Sequence, residues 1–239
     1  MLNIMRADFY RIRHSRSLLF WQLAILGFTA FATFSWGHDS KTTITGWAAI
    51  THINNSEGLF LWLLPLIMLV IGTDFSQHLL KDTLTMGVSR LRYFLSKMAT
   101  MTIILLLQLW ALHIVAFLAG SYFGGPGTIN WGDWFSQMLV YVLLTLTEMT
   151  IITGILYWSG STTAALTGGV LALVLVSIMH FQFIHTPFFA YADWILAVSD
   201  LPTVHLTTLG AVSKPVIGAL VMVIGGGILN AWRFEKMSL

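Results

Sequence analysis

Hydrophobic positions along this chain come mostly in long unbroken runs, without the polar face that a helix at a water interface would show. Six runs stand out, about Ser17 to Trp36, Gly58 to Ser76, Met98 to Gly120, Ser136 to Trp158, Thr163 to His185 and Pro215 to Trp232. At about 20 residues each, such runs cross roughly 30 Å of hydrocarbon as helices. A helix satisfies its backbone polar groups internally, which hydrocarbon demands. The predicted fold is therefore all-α, one integral membrane domain over residues 1–239 with six transmembrane helices. No small-residue cleavage pattern follows Trp36, so the first run reads as a retained anchor.

The segments between the runs carry finer patterns. Leu2, Met5, Phe9 and Ile12 recur at spacings of three and four, with Arg6, Arg11, Arg13 and Arg16 among them. This predicts an amphipathic helix over residues 1–16 on the inner membrane surface, its arginines meeting anionic lipid headgroups. Between the second and third runs, residues 77–97 mix apolar and charged positions at helical spacing. Leu80 and Leu84, with Met86 as a further candidate, form a short helical knob there, Gly87 ends it in a left-handed conformation, and Ser89 caps the following helix. Such a knob suits docking of a soluble partner, and a solvated basic loop that sets topology is the plainer reading. Gly37 to Glu57 is a polar outer loop. Residues 186–214, rich in Phe, Tyr and Trp, form a second outer loop that lies on or dips into the outer leaflet.

Charge adds the orientation. Ten of the twelve Lys and Arg residues, namely Arg6, Arg11, Arg13, Arg16, Lys81, Arg90, Arg92, Lys97, Arg233 and Lys236, fall on one side of the predicted spans. Only Lys41 and Lys214 fall on the other. The positive-inside rule then puts both termini and the 77–97 loop in the cytoplasm, in keeping with an even number of spans. Trp36, Trp131, Trp134, Trp158, Trp194 and Trp232 lie near predicted interfaces, where an amphipathic ring is stable. Composition agrees: 56% of the 239 residues are hydrophobic, only 9% are charged, and mean hydropathy is +0.79. That excludes a water-soluble globular domain. Gly168-Gly169 and Gly225-Gly226-Gly227 allow close helix approach.

Candidate chemistry is sparse. With no cysteine, the chain has no disulfide and no thiolate ligand or nucleophile. His180 and His185, five apart, point about 140° apart around a helix and do not form a metal pair. No His-Glu-x-x-His or Gly-x-Ser-x-Gly motif marks a hydrolase, and no Gly-x-x-x-x-Gly-Lys-Ser/Thr loop binds nucleotide. Neither a catalytic residue nor a metal or cofactor site is expected in this chain, and no nucleic-acid partner. Glu148 lies ten residues from Trp158, about 15 Å deep in the fourth span. A carboxylate at that depth faces the bundle interior, a wet cavity or a partner. A structural role, bonded to Thr145, Thr147 or Thr150 or across a subunit interface, stands beside a role in a translocation path or in proton handling. Gln108 and His113 in the third span are the polar residues that accompany it, although His113 lies about 7 Å from its depth.

The start Asp8-Phe9-Tyr10-Arg11, the six spans, and the loop running through Asp74-Phe75, Lys81-Asp82-Thr83-Leu84, Gly87-Val88-Ser89-Arg90, Tyr93 and Ser96-Lys97 carry a resemblance. The chain resembles the type 2 exporter permeases of ATP-binding-cassette (ABC) transporters, and is similar to small permeases of bacitracin or lantibiotic immunity. Asp74, Gly87-Val88-Ser89-Arg90 and Ser96-Lys97 match the family loop, whereas Lys81-Asp82-Thr83-Leu84 departs from its usual Gly-Thr turn. The resemblance implies a permease that hydrolyses nothing itself and couples through Leu80, Lys81, Asp82, Thr83, Leu84, Gly87, Ser89 and Arg90 to a separate dimeric ABC ATPase, which binds the ATP and Mg. It further implies a second permease subunit, identical or related, membrane lipids as surroundings, a bacterial cytoplasmic membrane, and an antimicrobial peptide or other amphipathic, lipid-like substrate. Two rivals remain from the residues alone, a proton-coupled secondary transporter using Glu148 and a membrane subunit for signalling or assembly.

Overall fold

A computed structural model describes residues 2–39, 44–54, 63–76, 79–129, 131–171 and 209–237. Every regular element among them is helical. The chain begins with α1 (Leu2–His14) and α2 (Arg16–Asp39), followed by α3 (Gly46–Asn54) and α4 (Leu63–Ile67). A π-helical turn, Met68–Gly72, leads into α5 (Thr73–Ser76) and α6 (Leu79–Thr85). The long helices α7 (Arg90–Gly124) and α8 (Trp131–Ser159) follow, then α9 (Thr162–Leu171) and α10 (Leu209–Glu235). Four stretches are long and apolar enough to cross a membrane, Arg16–His38, Arg90–Gly124, Tyr141–Ser159 and Val216–Glu235. Within the second and fifth predicted runs the described residues form only the shorter apolar helices Leu64–Phe75 and Thr162–Leu171. Their remaining parts, with His180, His185 and Trp194, lie outside the described residues.

Local chemistry explains the breaks. The Ser15 hydroxyl accepts from the Leu18 backbone N–H, capping α2 and separating it from α1. Gly87, at φ +88°, and the Ser89 side chain, which accepts from the Arg92 N–H, separate α6 from α7 as the sequence predicts. At Gly72 a Cβ would sit 3.0 Å from the Met68 sulfur and 3.3 Å from Thr162, so the π-helical turn packs closely against the start of α9.

Pairwise contacts fix the directions of the helices. Trp134 of α8 meets Trp110 of α7 near one end while Tyr157 meets Phe94 near the other, so these two run antiparallel. Gly168 and Gly169 of α9 face Ile155 and Ile152, antiparallel again. In contrast, Gly226 and Asn230 of α10 face Thr150 and Gly154 of α8 in the same order, so α8 and α10 are parallel. Gly37 beside Phe123, with α1 beside the start of α7, makes α2 and α7 parallel too. One end of the bundle therefore gathers α1, α5, α6, the start of α7 and the end of α10. The opposite end carries α3, whose Gly46 and Ala49 pack on Phe117 and Gly120.

Several sequence boundaries shift. The polar 37–57 segment is not simply a loop, because Trp47, Ile50 and Ile53 bury α3 against α7 and α8. Within 186–214, residues 209–214 belong to α10. The 77–97 segment divides, its last eight residues being the first turns of α7. At 1.5 Å per residue the 35 residues of α7 extend about 50 Å, longer than one crossing of a 30 Å hydrocarbon layer needs.

Candidate functional site

The charged end of the bundle holds a cluster that begins with an exception to the amphipathic pattern of α1. Asp8 lies one residue before Phe9 and three after Met5, on the face that turns inward, and it is 1% exposed. Its carboxylate accepts from Lys97 Nζ at 2.6 Å and pairs with the Arg11 guanidinium one turn along. Lys97, equally buried, also reaches Asp74 at 2.7 Å and donates to the Val70 carbonyl at 3.0 Å, in the π-helical turn. Arg11 closes the ring with a 2.6 Å bond to the other Asp74 oxygen and a 3.3 Å bond to the Thr73 hydroxyl. The Tyr93 hydroxyl donates to Asp74 at 2.5 Å. Two acids and two bases thus neutralise one another across α1, α5 and α7.

Burial works against the Arg11 charge, but its bonds to Asp74 and Asp8 and their negative charges outweigh this and hold the guanidinium above its ordinary pKa. Arg11 is thus not a headgroup-facing residue, whereas Arg6, Arg13 and Arg16 remain exposed. Taking one member from a buried ion pair costs about 3–5 kcal/mol, because the other charge stays behind without its partner. α1 is therefore part of the protein core at this end, with Phe9 and Ile12 packed on the central cluster.

The same end carries the predicted coupling residues, and it sorts them differently from the sequence pattern. Leu80 is 2% exposed and Leu84 packs on the central core, so the leucines of α6 hold the loop to the bundle instead of forming its outward knob. What α6 presents outward is Lys81, Asp82 and Thr85, with Met86, 82% exposed, at the tip beside Gly87. Thr83 donates back to the Leu79 carbonyl. Arg90 reaches the end of α10. Its Nη1 donates to the carbonyls of Phe234, Glu235 and Met237 at 3.2, 2.7 and 2.6 Å, capping the end of α10. Carbonyls at a helix end run short of helical donors, and although Phe234 still accepts from the Met237 N–H at 3.4 Å, a cation there also suits the helix dipole.

The intramembrane candidates do not converge. Thr145, Thr147 and Thr150 turn their hydroxyls to the carbonyls of Tyr141, Leu143 and Leu146 in their own helix, leaving none for Glu148. Among the described residues no ion pair or hydrogen bond holds Glu148, and it is half-buried. His113 places Nδ1 2.6 Å from the Leu109 carbonyl, while its Nε2 and the Gln108 amide nitrogen are buried without a partner among the described residues. Asn230 of α10 donates to the Thr150 carbonyl at 3.0 Å, a polar tie across the α8 and α10 contact.

Sequence reasoning missed the roles of Asp8, Arg11, Tyr93 and Lys97, although the residues stand in the motif it quoted. The available signal was an acid on the apolar face of α1, which requires a buried cation. Its partner, 89 residues away, is not visible in a one-dimensional pattern.

Helices that cross a membrane in alternating directions, with charge gathered at one end, define a multi-pass membrane protein built around a helical bundle. The sequence profile of the ABC-2 family transporter protein matches residues 4–182, more than half of the chain, and the chain belongs to that family. The family is a membrane transport component that normally works with an ABC ATPase. No curated protein matches the chain significantly.

Proposed function

We propose that the chain is the permease subunit of an ATP-driven exporter in a bacterial cytoplasmic membrane, with six spans and both termini inside. A separate ABC ATPase dimer binds ATP and Mg and docks on the end that carries α6, and two permease subunits, identical or related, enclose the route. The observation that carries this reading is the α6 loop. Its leucines are anchored in the core while Met86, Lys81, Asp82 and Thr85 project, so a soluble partner meets a rigidly mounted knob. Family membership supports the same reading. The substrate is an amphipathic compound residing in the membrane, with a cationic antimicrobial peptide as the first class to test.

Co-expression with the cognate ATPase, identified by its phosphate-loop sequence, tests docking. Met86→Asp combined with Lys81→Glu should reduce ATPase retention while thermal stability stays at the wild-type value. Full retention would overturn the docking surface. Inhibitory concentrations of bacitracin-like and lantibiotic-like peptides, measured in a sensitive host expressing both subunits, test the substrate. Unchanged sensitivity despite confirmed membrane expression would count against peptide export.

A second reading is favoured by Glu148, which lacks a bonded partner among the described residues. Proton-coupled transport through that carboxylate would persist without an ATPase and follow the proton gradient. Glu148→Gln should then change transport or its pH dependence, while wild-type transport at every pH would leave Glu148 a structural residue.

A further inference from the structure

Asp74 stands where three elements meet. It belongs to the four-residue α5, which leads within two residues to α6. One of its oxygens takes the Arg11 guanidinium of α1, and the other takes the Lys97 ammonium and Tyr93 hydroxyl of α7. The same elements meet in the apolar core next to it, through Phe9 and Ile12 of α1 and Leu80 and Leu84 of α6. Charges buried in this way separate only by leaving one of them unpaired in a low-dielectric interior. Displacing one of the three elements therefore draws the others with it. The exposed Arg6, Arg13 and Arg16 have no such tie among the described residues.

We propose that Asp74 is a positioning residue for coupling, fixing α1, the α6 loop and the first turns of α7 into one rigid unit. A push on α6 then moves the interfacial helix at the membrane surface together with the spans. The inference rests on the docking reading above and adds to it the path that force takes inside the chain. Asp74 touches neither nucleotide nor substrate, so its effect appears in how hydrolysis is used.

The absence of native cysteine lets label pairs be placed without background. Spin labels at Tyr10 and Thr85, and in a second sample at Thr85 and Trp158, would be followed in lipid nanodiscs with the ATPase bound, before and after trapping with ATP and vanadate. The Tyr10 to Thr85 distance should stay constant while the Thr85 to Trp158 distance shifts. In Asp74→Asn the Tyr10 to Thr85 distribution should broaden and transport per ATP hydrolysed should fall roughly tenfold, with ATPase retention unchanged. Asp74→Glu should keep part of the coupling. If Asp74→Asn fails to fold, Arg11→Gln releases α1 alone and should broaden the same distribution.

A wild-type Tyr10 to Thr85 distance that changes on trapping would overturn the inference while leaving docking intact. So would an unmoved Thr85 to Trp158 distance, or wild-type transport per ATP in a folded Asp74→Asn protein. Failure of the wild-type permease to retain the ATPase would overturn the docking reading and this inference together.

Discussion

At the residue scale, the buried ion cluster makes the sharpest stability predictions. Lys97→Met leaves Asp8 and Asp74 with only Arg11 between them, and should destabilise the protein by about 3–5 kcal/mol. Asp8→Asn removes the opposing acid, so the Asp8→Asn, Lys97→Met double variant should be less destabilised than the sum of the two, as expected for residues in contact. Thermal unfolding in detergent, analysed as a double-mutant cycle, checks both, and strict additivity would show that the pair does not interact. Arg90→Ala should loosen the end of α10, since bonds from a charged donor contribute about 1.5–3 kcal/mol. Limited proteolysis near residues 233–237 should accelerate in that variant, whereas a partner-docking role alone would leave proteolysis of the isolated permease unchanged.

Helix packing sets the scale of elements. In hydrocarbon, apolar faces gain nothing by leaving lipid, so close van der Waals approach holds the spans together. The α8 and α10 contact shows this in three adjacent glycines that are not equivalent. A Cβ at Gly226 would lie 2.7 Å from the Thr150 methyl, while Gly225 and Gly227 have no neighbour within 4 Å among the described residues. Gly226→Val should therefore destabilise by about 1–3 kcal/mol through overpacking. Gly225→Ala should be neutral or stabilising by up to about 1 kcal/mol from helix propensity. Thermal stability of the two variants side by side separates packing from propensity, and equal effects would contradict the assigned face. On α6 a similar contrast holds, since Leu80→Asp should unfold the charged end whereas Met86→Asp should leave stability untouched.

Over the whole molecule, parallel and antiparallel contacts put α1, α6 and the end of α10 together, as Arg90 bonding to the Phe234 carbonyl shows directly. Single cysteines at Tyr10, Met86 and Lys236 should be labelled by a membrane-impermeant maleimide only in inside-out vesicles. Cysteines at Tyr122 and Trp131 should be labelled in intact cells. Labelling of Lys236 and Tyr10 from opposite sides would overturn the proposal that both termini lie inside. The length of α7 suits this arrangement, because its 35 residues exceed what one crossing needs and its first turns bring Tyr93 and Lys97 against α1 and α5.

Hydrophobic run length and the distribution of Lys and Arg determined by themselves that this is a helical membrane protein, where four of its long helices lie, and that α1, the α6 loop and the α10 end form one charged end. These properties are local or additive along the chain, so a one-dimensional reading recovers them. The Gly87 turn and Ser89 cap were legible for the same reason, since a backbone conformation and a hydrogen bond within three residues depend on neighbours in sequence. Which way a side chain turns depends on what stands opposite, and that the tertiary structure alone decided. It turned Leu80 inward, set Arg90 on the end of α10, packed α3 as a helix, and left Glu148 without the threonine bonds its neighbours suggested. Above all it joined Asp8, Arg11, Asp74, Tyr93 and Lys97. A buried charge is tolerated only beside its counter-charge, and here the counter-charges come from segments far apart in the chain.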